Sequence, residues 1–146
     1  MTQSASVRLK AVDPLDLDIA EEIRKMHVVC FPFEYSKFLT DFGFWWIGYD
    51  KDEPACFAGL WKSTNYDNAG YLCRSGVMPA YRGKGLQRRL VRVREKKARS
   101  LGWNLLLSDT NDVPASTNNL IRCGYRTFTP PTRWALPSAV YWRKEI

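Results

Sequence analysis

The segment Gly76-Val77-Met78-Pro79-Ala80-Tyr81-Arg82-Gly83-Lys84-Gly85-Leu86-Gln87 limits what this chain can become more than any other stretch. A strand-forming run stops at Pro79, a turn with glycine at 83 and 85 follows, and a long basic helix starts with no Ser, Thr, Asp or Asn to cap it. The first amides of such a helix lack a side-chain partner. Glycine lets a ligand come close to the backbone, and those amides together with the helix dipole form a site for a phosphate-like anion. Arg82 and Lys84 add full positive charge. Two familiar nucleotide loops are excluded by spacing, because there is no third glycine for a dinucleotide fingerprint and no Gly-Lys-Ser or Gly-Lys-Thr for a P-loop. The ordinary alternative is a glycine turn opening a solvated basic helix.

Charge points to the same place. The net charge is +7, so the chain attracts anions. Between Arg82 and Arg99 lysine and arginine are interrupted by one acid, Glu95. At 146 residues the chain suits one domain, 1–146, with a globular composition. It has no run approaching eighteen apolar residues and no apolar signal core near Met1, so a soluble, cytoplasmic protein with no membrane partner is expected. The cysteines Cys30, Cys56, Cys73 and Cys123 are far apart and His27 is the only histidine, which argues against a metal site and against disulfides.

Patterning predicts a strand at Ser6–Leu9 and a helix from Leu15 to about Val29 with Leu15, Ile19, Ile23 and Met26 on its apolar side. A hairpin of Phe42–Tyr49 and Ala55–Trp61 follows around Asp50–Pro54. Tyr71–Met78 reads as a strand, and Gly85–Leu101 as a helix burying Leu86, Leu90, Val93 and Leu101, with Gly102 at its C-cap. Trp103–Ser108 reads as a buried strand. Asn111 or Asp112 caps a short helix from Pro114 to Gly124, and Tyr125–Phe128 and Ala139–Trp142 are final strands.

The stretch Val77-Met78-Pro79-x-x-Arg82-Gly83-Lys84-Gly85-Leu86-Gln87 resembles the acetyl-CoA signature of GNAT superfamily N-acetyltransferases, Arg/Gln-x-x-Gly-x-Gly/Ala, with Gln87 departing at the last position. Asn111-x-x-x-x-Ser116-x-x-Asn119-Leu120-x-x-x-Gly124-Tyr125 resembles the family's second cofactor motif. The resemblance implies an α+β fold: a mixed, mostly antiparallel sheet of six to seven strands flanked by about four helices. In it the strands near 71–78 and 103–108 run parallel and splay apart to admit pantetheine. It implies acetyl-CoA as co-substrate, no metal, and attack of a primary amine in a ternary complex, with the oxyanion held by a backbone amide near Val77. Val77, Arg82, Gly83, Lys84, Gly85, Leu86, Gln87, Asn111, Ser116 and Asn119 are the cofactor-binding candidates.

The family's frequent tyrosine acid is replaced here by Leu120, and Ser116, Tyr125 and Tyr141 are candidate substitutes. Glu34 is the candidate base. It lies where the resemblance puts the acceptor, and its ordinary alternative is an exposed helix-starting carboxylate. His27 reads as packed. Arg74 reads as a salt bridge across the sheet or a holder of an anionic acceptor group. The acceptor is a small-molecule or peptide amine, with a peptide N-terminus, a lysine, a polyamine and an aminoglycoside all open, and a homodimer is left open. Two alternatives stand beside the enzyme: a GNAT-like domain that binds CoA without turnover, and a basic nucleic-acid-binding module. Nucleic acid is set aside because the cations surround most of the helix instead of forming one face.

Overall fold

The structure, a computed structural model, describes residues 6–32, 40–111 and 114–146. In chain order the elements are β1 (Val7–Val12), α1 (Leu17–Cys30), β2 (Phe44–Asp50), β3 (Glu53–Lys62), β4 (Ala69–Val77), a 3-10 turn (Pro79–Tyr81), α2 (Leu86–Ser100), β5 (Leu105–Thr110), α3 (Pro114–Arg122), β6 (Arg126–Phe128) and β7 (Val140–Glu145). They form a seven-stranded sheet in the order β1-β2-β3-β4-β5-β7-β6. The pairs β1–β2, β2–β3, β5–β7 and β6–β7 are antiparallel. β4 and β5 are parallel, in register over Ala69–Tyr71 against Leu105–Leu107. This is the expected mixed α+β class, with three α-helices among the described residues where about four were expected. None of the described helices is long and apolar enough to cross a membrane.

The chain divides into two compact units, Met1–Trp61 with Cys73–Leu90, and Lys62–Leu72 with Val91–Ile146. In the first, α1 begins at Asp16, whose carboxylate accepts from the Asp18 and Ile19 amides at 2.9 and 3.3 Å, two of the orphan donors of a helix start. Its Ile23 and Met26 pack with Trp45, Ile47 and Phe57. Leu15, expected on that face, lies before the helix and is 69% exposed, because the cap at Asp16 starts the helix after it. A second cluster of Val7, Ala55, Cys56, Ala58, Val77, Tyr81, Leu86 and Leu90 supports the end of β4 and the start of α2.

In the second unit Ala69, Leu105 and Leu107 form an apolar centre with Tyr66, Tyr71 and Phe128 against it. Gly102 and Gly124 take positive φ of 78° and 91° and close α2 and α3. Trp103 N bonds Ala98 O and Tyr125 N bonds Leu120 O, the paired-carbonyl ending that favours glycine. The apolar face expected on α2 is corrected in its second half: Val93 is half-buried and Leu101 is 38% exposed, whereas Val91, Arg94, Glu95 and Ala98 are buried. Glu95 goes inside because Tyr125 Oη and Lys144 Nζ donate to its carboxylate at 3.0 and 2.9 Å. Periodicity counts a glutamate as solvent-facing and cannot see partners 30 and 49 residues away.

Candidate active site

The turn after β4 is built from the strand outward. Met78 N donates to Ala55 O at 2.8 Å, anchoring the strand end, and Pro79 opens the 3-10 turn. Tyr81 is buried, and its hydroxyl donates to Asp50 at 2.9 Å. Burial, with the Asp50 carboxylate beside it, pushes this phenol up to about 12. Arg82 folds back so that Nε donates to Val77 O at 2.9 Å, and the Cys30 thiol donates to the same carbonyl at 3.6 Å. The peptide joining Val77 and Met78 is therefore held at its oxygen by Arg82 and Cys30 and at its nitrogen by Ala55. Burial pushes the Cys30 thiol up, opposed by the Arg82 guanidinium.

Gly83 and Gly85 have φ of 76° and 82°, and a Cβ on either would meet nothing within 4 Å. These glycines are required by backbone conformation, with open space above them. Among the described residues, no hydrogen-bond partner is found for the backbone N–H of Gly83 through Arg88. The contrast with α1, whose Asp16 caps it, is direct. There is no acid in the first turn of α2. Leu86 is buried in the cluster around Val77 and Tyr81, so its side chain anchors the helix start. Gln87, the departure from the family pattern, is half-buried and accepts from Ser75 Oγ at 3.0 Å, so its bulk is taken up against β4. Lys84 is half-buried.

The first unit thus brings Val77, Arg82, Gly83, Lys84, Gly85, Leu86 and Gln87 into one continuous turn. In the second unit Asn111 and Ser116 are exposed, and Ser116 and Asn119 lie three residues apart on α3. Asn119 is half-buried, its carbonyl oxygen 4.0 Å from the Cys123 thiol that donates to it. Leu120 is buried. Glu34 lies outside the described residues. Asp112, the other cap considered for α3, lies outside them as well.

Two of the substitute acids have structural work instead. Tyr125 is 3% exposed and bonded to Glu95, and burial together with that carboxylate pushes its phenol far above the ordinary tyrosine range. Tyr141 is buried, accepts from Ala135 N at 2.9 Å and packs edge-on to Trp134. His27 is buried and stacks on Phe31 at 4.7 Å, as expected of a packed residue. The Arg74 guanidinium sits 5.2 Å over the Phe31 ring, a cation–π contact.

Sequence reading missed Cys30 and Ser75 as supports of the turn, and it missed Asp109. That carboxylate accepts from Tyr71 Oη at 2.5 Å and Trp134 Nε1 at 3.1 Å. The signal available for Asp109 was an acid directly after a buried-type strand; Cys30 and Ser75 carried none.

Arg82 yields a first expectation. Its side chain braces the turn, so Arg82→Ala should weaken CoA binding roughly tenfold or more through loss of a charged hydrogen bond and of local positive charge. Arg82→Lys keeps the charge without Nε geometry and should recover only part, measurable by calorimetry.

A family model described as the Acetyltransferase (GNAT) family matches residues 16–125. No curated protein sequence matches the chain. Among solved structures, the IAA acetyltransferase from Bacillus cereus aligns with TM-score 0.73 and 14% identity, over 96% of this chain and 99% of that one. An acetyltransferase of Bacillus subtilis in complex with CoA aligns with TM-score 0.73 and 15% identity, over 96% and 99%. The protein yncA from Salmonella typhimurium with its cofactor acetyl-CoA aligns with TM-score 0.70 and 15% identity, over 96% and 94%. At these identities the likeness to solved structures is one of fold, whereas the family model spans most of the chain and both of its motifs, and this chain belongs to the GNAT acetyltransferase family.

Proposed function

We propose that this protein is a single N-acetyltransferase domain that moves an acetyl group from acetyl-CoA to a primary amine by direct attack in a ternary complex. The observation that carries the reading is the row of unpartnered amides from Gly83 to Arg88 at the open start of α2. A pyrophosphate satisfies those donors and faces the positive end of the helix dipole. In this reading Gly83, Gly85 and Leu86 donate through their backbones, Arg82 and Lys84 supply charge, and Gln87 holds the helix start to Ser75. Asn111, Ser116 and Asn119 bind further along the cofactor.

In the transfer the amine lone pair forms the new C–N bond at the thioester carbon, and the oxyanion accepts from a backbone amide near Val77. Collapse breaks C–S and the electron pair leaves on sulfur. The ammonium proton passes to the base, for which Glu34 is the candidate. A free thiol ionises near pH ~8.5, so the thiolate departs near neutral pH without a dedicated acid. Leu120 cannot donate a proton, and Tyr125 is bonded away to Glu95.

The experiment is CoA-thiol release from acetyl-CoA against a panel of primary amines, followed by a pH–rate profile. An alkylamine has a pKa near ~10.4, so the rate should rise with pH and show no sharp alkaline loss assignable to one acid. Tyr125→Phe should leave the shape of the profile unchanged and lower the stability of the fold. The raised Tyr125 phenol makes its stabilising contribution in full below about pH 10, the unfolded value, and loses it as pH rises beyond that. A steep alkaline limb removed by Tyr125→Phe or Tyr141→Phe would show that a tyrosine acts as the acid. CoA binding with no thiol release across the panel would favour a binding domain without turnover.

A further inference from the structure

We infer that the exposed face of α2 is a docking surface for the phosphate backbone of duplex nucleic acid, contacted without regard to base sequence. The cations that surround this helix in the sequence are sorted by the fold. Arg94 is buried, and Arg89 donates to Val7 O at 2.9 Å. Arg88, Arg92, Lys96 and Arg99 are exposed, and at 3.6 residues per turn they fall within about 80° of arc along one side. Among the described residues the structure gives the side chains of these four no ion pair or hydrogen bond.

The absence of pairing has a structural cause. Glu95 is the only acid on the helix, and it stands three residues from Arg92 and four from Arg99, the spacings at which a helical salt bridge forms. Its carboxylate is instead turned inward to Tyr125 and Lys144. What is left outside is a run of like charges at i,i+4 and i,i+3, an arrangement that destabilises a helix unless an anion covers it.

The stripe's chemistry selects among polyanions. Three of its four residues are arginine, whose planar fork matches phosphate oxygens. Their axial span of roughly 16 Å, at 1.5 Å per residue, covers about five phosphates of one strand at 3.4 Å each. No large apolar side chain stands within the stripe to insert into a lipid surface, and no Asn or Gln stands there to read base edges. Net charge +7 adds long-range attraction. Arg92, Lys96 and Arg99 follow the Gly83–Arg88 amides in the chain, and the contact does not depend on turnover.

The test is fluorescence-anisotropy binding of a mixed-sequence DNA duplex to the full chain at several salt concentrations, with excess CoA present to occupy the turn. Four phosphate contacts should give a slope of log K against log salt near −3.6, which is roughly a 150-fold loss between 50 and 200 mM salt. The triple variant Arg92→Gln, Lys96→Gln, Arg99→Gln should flatten the slope by roughly 2.7 and retain CoA binding. A second triple, Arg8→Gln, Lys10→Gln, Lys62→Gln, removes the same charge from exposed positions elsewhere and should leave the slope near its starting value. Equal losses in the two triples, no duplex binding at 50 mM salt, or preferential stripe-dependent binding to vesicles of anionic lipid would each overturn the inference. Circular dichroism of both variants establishes that they are folded.

Discussion

Gly85→Val should reduce CoA affinity by about 100-fold or more and leave a folded protein. Gly85 has φ of 82° with open space where a Cβ would stand, so the substitution does not collide with the core. It does force a β-branched residue into the left-handed region, at about 1–2 kcal/mol, and the chain relieves that strain by turning the local peptide. The amides of Gly85 and Leu86 are then displaced from the positions proposed to hold the pyrophosphate. Two charge-assisted hydrogen bonds are lost, each in the range of about 1.5–3 kcal/mol, which together account for the drop. Gly102 provides a matched control, with φ of 78° and nothing within 4 Å of its Cβ position, at the opposite end of the same helix. Gly102→Val should lower Tm by a similar few degrees with CoA affinity retained. If Gly85→Val binds CoA normally while folded, the turn does not hold the pyrophosphate. If Gly102→Val loses binding equally, the loss belongs to stability and not to the site.

The largest effect on stability is expected at Glu95. Glu95 is 4% exposed, and its carboxylate accepts from both Tyr125 Oη and Lys144 Nζ, while Lys144 also donates to Cys123 O at 2.8 Å. Glu95→Ala leaves the half-buried Lys144 ammonium without its counter-charge and a buried phenol without an acceptor. Removing one partner of such a pair destabilises by about 3–5 kcal/mol, which in a chain of this size lowers Tm by roughly 10 °C or more. Glu95→Gln keeps an acceptor oxygen and should lose less. Adding Lys144→Met to Glu95→Ala should recover part of the deficit, because the stranded charge goes with it. Thermal melts of the four proteins decide this. A Glu95→Ala protein melting within a degree or two of the unsubstituted chain would mean that the ion pair contributes nothing net.

Much of the architecture was legible because its signals are local. Pro79 stops β4, and Gly102 and Gly124 end their helices in positive φ. In each case the residue that gives the signal makes the hydrogen bond or takes the dihedral angle itself. Element ends that depend on a neighbouring strand were less legible. β7 runs on to Glu145, past the expected Trp142, because Arg143, Lys144 and Glu145 pair with Leu107, Leu106 and Leu105. Polar side chains at the sheet's last residues hide a strand that its partner defines.

The candidate site divides in the same way. The spacing of Arg82, Gly83, Gly85 and Leu86 carries the turn in the sequence itself, since glycine's freedom at φ near +80° and an uncapped helix start are properties of a few adjacent residues. What the side chains around that turn do depends on the folded arrangement. Arg82 meets Val77 O, Gln87 meets Ser75, Tyr125 and Lys144 claim Glu95, and Arg94 goes inside while Arg92 stays out. A charged residue's place depends on which partner the fold brings to it, since burial is tolerated only where a distant donor or acceptor compensates the lost water. A few neighbours along the chain are enough to settle the backbone conformation of the turn. Contacts between residues as many as 82 positions apart settle which charges turn to a partner and which are left facing outward.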